Sequence, residues 1–241
     1  MNTTACRSCG APLSETLADL GMAPLANSLV APENDGLMEP FFPLRVFVCS
    51  RCFLAQIDAS IPPERIFSHY LYFSSLSSTW LEHCAHYVEQ IVPRCGLGPE
   101  SKVVEIASND GHLLRLFQRR GIQVLGVEPA ANVARVAIAS GVPTEIAFFG
   151  RAVAENLRAG GHTADLIAAN NVLAHVPDIN DFVAGLKTLL RPGGTLTVEF
   201  PHLLNLLRFR QFDTIPRARS LLVSIKRRER FREARITDVR C

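Results

Sequence analysis

No apolar run in this sequence approaches the length needed to span a bilayer, which excludes a helical membrane protein. The first ten residues, MNTTACRSCG, lack the basic start and apolar stretch of a secretory signal, so the expected location is the cytoplasm. Basic charge is scarce over most of the chain. From Arg208 onward there are eleven Lys and Arg against four Asp and Glu, whereas residues 1–207 carry 14 against 19. A mildly acidic body argues against nucleic acid as a partner and confines the basic character to the tail. What remains is 241 residues, 48% of them apolar and 20% charged. That is enough for one sizeable domain and a small accessory module.

Cysteine is where the chain departs from the ordinary. Cys6-x-x-Cys9 and Cys49-x-x-Cys52 are two pairs with 39 residues between them. Two residues between thiols let both sulfurs face one tetrahedral cation while the turn backbone donates to them. Four thiolates close the coordination sphere, so the expected ion is a structural Zn2+ with no open position for catalysis. The separation of the pairs exceeds the usual zinc-ribbon spacing. A redox pair or unrelated buried cysteines are the alternatives. Cys84, Cys95 and Cys241 have no partner at matching spacing and read as free thiols.

From Lys102 the chain alternates short apolar runs with helical patterns: KVVEIA, HLLRLFQRRG, IQVLGVEP, ANVARVAIASG, TEIAFF, RAVAENLRAGG, ADLIAANNVLAHV, DINDFVAGLKTLLRPGG, TLTVEF. Such an alternation specifies an α/β doubly wound, Rossmann-like, mostly parallel sheet, with ligands bound beyond the carboxyl ends of its strands. A dinucleotide-binding turn needs Gly-x-Gly-x-x-Gly after the first strand. The turn here, Glu105-Ile106-Ala107-Ser108-Asn109-Asp110-Gly111, has one glycine and two acids. It suits a cationic ligand better than a pyrophosphate. S-adenosylmethionine carries a sulfonium and an ammonium, both attracted by Glu105 and Asp110. Glu128, ending the second strand, stands where a carboxylate accepts from both ribose hydroxyls. A solvated strand-end acid is the alternative for Glu128, and a helix N-cap for Asp110.

With NNVLAHVPD after the fourth strand and LLRPGGTLTVEF entering the fifth, the chain resembles class I S-adenosylmethionine-dependent methyltransferases. CRSCG, LGMAPLANS, CSRC, HYLYFSSLSSTW, EIASNDG, GVEPA, NNVLAHV and EFPHLLNLLRFRQFDTI narrow the resemblance to sugar C-methyltransferases of deoxysugar biosynthesis. That resemblance covers nearly everything from Cys6 to Ile215. It implies a zinc-binding module (1–60), a helical linker lining the substrate site (61–98) and a cofactor-binding core (99–207), and it leaves 208–241 as a basic tail. The implied reaction is methyl transfer to carbon, usually C3, of a nucleotide-linked 4-keto-deoxysugar through an enolate. Ser108, Asn109, Gly111, Pro129, Asn170 and Asn171 would then join Glu105, Asp110 and Glu128 around S-adenosylmethionine. Tyr70 and Tyr72 would line the sugar site, and His175 would lie near the reacting carbonyl. Plain packing is the alternative for the tyrosines, and capping of the following helix for His175. Pro24 to Ser28 would fall near the sugar or at the module interface.

In that family QFDTI is followed by Tyr-His-Glu-His, which supplies the proposed base, and then by a further domain. This sequence continues Pro216-Arg217-Ala218-Arg219. The codons TAC CAC GAG CAC, read two nucleotides on, give Pro-Arg-Ala. The expectation is a frameshifted tail, slow or absent methylation, and an open hydrophobic edge beside the fifth strand. An amphipathic helix through SLLVSIKRRERFREARI is the alternative.

Overall fold

The computed structural model describes residues 5–25, 28–57, 61–201 and 203–211, together with Ser220–Leu221 and Arg235–Ile236. Ala26 and Asn27, within the Pro24–Ser28 stretch, lie outside the described residues, as do Pro216 to Arg219 and Cys241.

Residues Glu15–Pro24 (β1), Phe41–Val48 (β2) and Ala55–Ile57 (β3) form an antiparallel sheet. The period-two alternation of β2 gives it two loyalties. Leu44 and Val46 pack with Ala55, Ile57, Ala174, Leu203 and Leu206. Phe47 turns the other way, into a cluster with Cys6, Cys49, Leu13 and Leu54.

The linker is helical only at its ends, Glu64–Phe67 (α1) and Ser78–Cys95 (α2), with Ser74–Leu76 forming a single 3-10 turn. Ser77 caps α2 by accepting from the Trp80 amide, and Gly96 stops it in the left-handed conformation that a residue without Cβ enters freely. Cys84, Val88 and Ile91, at i, i+4 and i+7, form its buried stripe.

Beyond it run Lys102–Ile106 (β4), His112–Gln118 (α3), Gln123–Val127 (β5), Ala131–Ala139 (α4), Thr144–Glu145 (β6), Arg151–Ala159 (α5), Ala164–Asn170 (β7), Ile179–Leu189 (α6) and Leu190–Glu199 (β8). Leu203–Arg208 (α7), Ser220–Leu221 (β9) and Arg235–Ile236 (β10) follow. The larger sheet has the order β10-β8-β7-β4-β5-β6, and every pairing in it is parallel. The chain winds outward from β4 to β6, then returns to β7 on the other side of β4. That reversal is the switch point where such folds bind ligands. Ala164 to Ala169 are all buried, as a strand covered on both faces requires.

Four local expectations change. TEIAFF contributes only Thr144–Glu145 to the sheet, since Ile146 onward bends toward the cavity described below. The Arg-Pro-Gly-Gly turn is absorbed into β8 as a bulge: Ala164 pairs with Leu190 but Leu166 with Thr195. Gly193 bends back at φ 76° there, and Arg191 anchors the loop through Asp165 at 2.6 Å. The edge of β8 is not wholly open, because Arg235 and Ile236 pair with Thr195 and Leu196. Finally, the two described pieces beyond Gln211 are strands, Ser220–Leu221 pairing with β3, so a helix spanning 220–236 is not what its ends form.

Candidate functional site

The four predicted metal ligands converge. The sulfurs of Cys6, Cys9, Cys49 and Cys52 lie within 4.8 Å of one another. Cys6–Cys52 and Cys9–Cys49 are 3.5 and 3.6 Å apart. Tetrahedral Zn–S bonds of about 2.3 Å place sulfurs ~3.8 Å apart, so the set fits zinc. Both pairs use one turn. Cys6 N–H donates to Ala11 O and Gly10 N–H to Cys6 O; Cys49 N–H donates to Leu54 O and Phe53 N–H to Cys49 O. Each turn closes on a left-handed residue, Gly10 at φ 72° and Phe53 at 61°.

Electrostatics also favour a cation at this centre. Burial pushes the Cys49 thiol up, yet the amides of Cys52 and Arg51 outweigh it and bring its pKa to about 6. At Cys6 burial likewise opposes ionisation, and the Cys9 amide and Gln56 side chain overcome it. Cys52 goes the other way, to about 12, through burial first and then its three sulfur neighbours. Thiolates this close need a positive ion between them.

The second site is a cavity of about 530 Å³ at the carboxyl ends of β4, β5 and β7. Its floor is the loop after β4. Ala107, Asn109 and Gly111 have φ of 59°, 50° and 74°, a left-handed residue at every second position. This is the backbone that glycines normally supply, built with one glycine. Asn109 tolerates the conformation because its side chain is fully used: Oδ1 accepts from Ser74 N–H and Nδ2 donates to Tyr72 O, both at 2.9 Å. Gly126 on β5 makes the close approach possible, since a Cβ there would overlap the Ser108 hydroxyl.

Three buried polar atoms in the loop region have no hydrogen-bond partner among the described residues: Glu105 Oε2, Ser108 Oγ and Asp110 Oδ1. Unpaired buried polar atoms are rare in folded chains and mark a place for a ligand donor. Glu105 is pushed well above its ordinary 4.5, first by burial and then by Glu128 and Asp110. Glu128 is also raised by burial, against the N–H groups of Ala130 and Asn109 that its two oxygens accept at 2.8 and 2.9 Å. Each of its oxygens keeps a lone pair for a further donor.

Glu105, Ser108, Asn109, Glu128, Pro129, Asn170 and Asn171 all line this cavity, and so do Tyr70, Tyr72 and His175. Asp110 and Gly111 do not. Asp110 turns Oδ2 to Ser75 N–H at 3.0 Å, and Gly111 lies against Ala137 and Val142 of the next helical layer. Neither alternative capping role appears. Gly111, without a side-chain cap, begins α3, and Asp178 caps α6 by accepting from Asn180 and Asp181. The aromatic wall is a relay of rings: Tyr72–Tyr70 at 6.5 Å, Tyr70–Phe67 at 6.0 Å and Phe67–His175 at 5.5 Å.

Sequence reasoning missed Asn132, whose amide accepts from Tyr70 N–H at 3.0 Å and donates to Tyr70 O at 2.6 Å. With Asn109 and Asp110 it stitches residues 70–75 over the loop after β4. A lone Asn in a helix gives no pattern to find. Phe148 and Phe149, which end TEIAFF, line the cavity, although the apolar pattern of the run is that of a strand.

A family model described as "Methyltransferase domain" matches residues 80–236, and one described as "Putative zinc binding domain" matches residues 6–67. The chain is similar to C-methyltransferase NovU of Streptomyces niveus, with 40% identity over 210 residues, 87% of this chain and 50% of that protein. It is also similar to a ubiquinone biosynthesis O-methyltransferase of Methylobacterium sp. (strain 4-46), 35% identical over 106 residues and 41% of each chain. A solved SAM-dependent methyltransferase from Archaeoglobus fulgidus overlays 59% of this chain and 62% of its own, at TM-score 0.48 and 14% identity. The chain thus spans half or less of the length of these curated relatives. The methyltransferase match takes in the whole parallel sheet from β4 to β10, with the cavity at its switch point, and the chain belongs to the methyltransferase-domain family.

Proposed function

We propose that the chain binds S-adenosylmethionine over the ends of β4 and β5 and serves methyl transfer to C3 of a nucleotide-linked 4-keto-deoxysugar. The observation that carries this reading is a single cavity joining a buried acidic floor, with orphaned polar atoms, to a wall of Tyr70, Tyr72 and His175. The similarity to a C-methyltransferase over 87% of the chain supports carbon as the acceptor. When bound, S-adenosylmethionine supplies an electrophilic methyl group on a cationic sulfur. Glu105, buried and without a donor at Oε2, accepts from the ammonium, and Glu128 accepts from the ribose hydroxyls.

On the acceptor side, loss of the proton next to the ketone puts negative charge on the carbonyl oxygen. Tyr72 and His175, which both line the cavity, would donate to that oxygen, where a hydrogen bond gains strength as charge develops. The Tyr-His-Glu-His that supplies the family's proposed base after QFDTI is replaced in this chain by Pro216-Arg217-Ala218-Arg219, outside the described residues. Among the described residues the lining holds Glu64, Glu105, Glu128, Asp178 and Asp181 and no Lys or Arg. Such a lining takes a cation and a neutral sugar ring, so the acceptor's diphosphate is held outside this cavity. Cys6, Cys9, Cys49 and Cys52 would hold zinc as a closed structural centre.

Trp80, the single tryptophan, lines the cavity and reports on its contents. Titration with S-adenosylmethionine should change its emission saturably, and Glu128→Gln should weaken binding about tenfold, the loss of a charge-assisted hydrogen bond. Absence of saturable binding would refute the reading. Methyl transfer from labelled cofactor to a nucleotide-linked 4-keto-deoxysugar tests the acceptor separately.

A further inference from the structure

The zinc module reaches the cavity by way of the segment that carries His175. Ala174, immediately before His175, is buried in the cluster that β2 and β3 make with α7. Five residues later, Ile179 packs onto the cluster of Cys6, Cys49, Leu13, Phe47 and Leu54 that surrounds the four thiols. The next residue, Asn180, donates from Nδ2 to Ser8 O at 3.0 Å and to Arg7 O at 3.3 Å. Ser8 and Arg7 are the two residues between the first pair of cysteines. Between these two anchorages, His175, Val176, Pro177 and Asp178 face the cavity.

The metal turn is itself fixed from behind. Gln56 accepts from Arg7 N–H at 3.0 Å and donates to Cys6 Sγ at 3.3 Å, and the Arg7 guanidinium donates to Ile57 O at 2.9 Å. Together these contacts form a continuous path: four sulfurs, the Arg7–Ser8 turn, the Asn180 amide, and the start of α6 with the His175 segment before it.

We infer that the zinc centre is a strut that holds the His175–Asp178 wall of the cavity in place, with Asn180 as the positioning residue that joins the two. The importance of that wall for the acceptor rests on the function proposed above; the mechanical link does not. A turn stabilised by four Zn–S bonds is a rigid anchor, whereas two Cys-x-x-Cys turns without a cation carry mutually repelling sulfurs. Loosening the turn removes the Arg7 and Ser8 carbonyls that Asn180 reaches and one of the two surfaces that Ile179 packs on. The segment then keeps Ala174 in the cluster of β2 and β3, and Leu173, Val176 and Phe182 in the core of the parallel sheet. Asn180 acts through the wall and touches no reacting atom.

Hydrogen exchange on the full chain tests the link without any turnover. Zinc-loaded protein should exchange slowly over residues 172–182. Stripping the metal should accelerate exchange there, while residues 112–127, which do not touch the module, keep their rates. Asn180→Ala removes only the exposed amide and should leave one zinc per chain. It should raise exchange at 172–178 about fivefold, the effect of losing one net hydrogen bond. Should metal removal unfold the whole chain, this variant alone decides. Unchanged exchange at 172–178 in zinc-replete Asn180→Ala overturns the inference, as does metal-free protein whose cysteine turns loosen while residues 172–182 stay protected. Neither result bears on S-adenosylmethionine binding, which the Trp80 titration follows independently.

Discussion

Ala107 and Asn109 share a left-handed backbone but differ in what their side chains do, so replacing each with glycine should move stability in opposite directions. At Ala107, φ 59°, an L-residue bears about 1–2 kcal/mol of steric strain that glycine relieves. Against this stand glycine's extra unfolded-state entropy, about 0.5–1 kcal/mol, and about 0.4 kcal/mol for a half-buried methyl. At the midpoints of these figures the net is a gain of about 0.3 kcal/mol, or about 1 °C in Tm for a chain of this size. At Asn109, φ 50°, the conformation is one asparagine tolerates, so little strain is released. Lost instead are the bonds to Ser74 N–H and Tyr72 O and the one Oδ1 accepts from Asp110 N–H. At about 1 kcal/mol net for each, the cost is roughly 2–3 kcal/mol, or about 4–12 °C. Thermal unfolding at one fixed, saturating zinc concentration compares them, since metal bound to the folded state shifts Tm. If Ala107→Gly lowers Tm as far as Asn109→Gly does, backbone conformation does not govern this loop and the argument fails.

Cys49→Ser should abolish zinc binding by elemental analysis of native-purified protein and lower Tm; a variant that keeps one zinc per chain would refute the four-thiolate centre. Glu105 is raised above 4.5, so the ligand-free chain should lose stability as pH climbs from 4.5 through its folded pKa. A bound cation favours the carboxylate, so S-adenosylmethionine should bind more tightly across that rise and release protons below it. Calorimetry in buffers of different ionisation heat checks this, and pH-independent binding without proton release would contradict it. His175→Ala and Tyr72→Phe should leave cofactor affinity within about twofold while cutting any acceptor turnover, already slowed by the missing Tyr-His-Glu-His, a further tenfold or more, the scale of a lost donor to a developing oxyanion. Equal losses in both measurements would place these side chains on the cofactor instead.

The parts of this fold that showed in the sequence are those whose signal is periodic. Helices α3 to α6 and strands β4, β5, β7 and β8 repeat apolar residues at the spacing their burial demands, and the two cysteine pairs repeat a spacing that one ion dictates. The parts that stayed hidden depend on single residues acting over distance. A loop that takes left-handed turns at Ala107 and Asn109 does not look like a glycine loop, because the conformation is held by bonds from Asn109 to residues some 35 positions earlier. The clamp of Asn132 on Tyr70 spans 62 positions, and that of Asn180 on Ser8 spans 172. Contacts of this kind have no period, and only the folded chain brings them together.

The same distinction explains why acids stand where glycines usually do the work. Glu105, Glu128 and Asp110 lie close enough that the first is raised partly by the other two, and burying them together opposes folding. Asp110 resolves part of that cost by holding Ser75, and Glu128 by accepting two backbone amides. Glu105 lines the cavity, and its Oε2 is buried without a hydrogen-bond partner among the described residues. A carboxyl kept neutral by burial becomes a carboxylate when a cation arrives, so the most unfavourable group in the free fold is the one that gains most from the ligand. On the proposed binding of S-adenosylmethionine, the acids are a binding charge held in reserve, and the strain at Ala107 is the backbone's share in shaping the same floor.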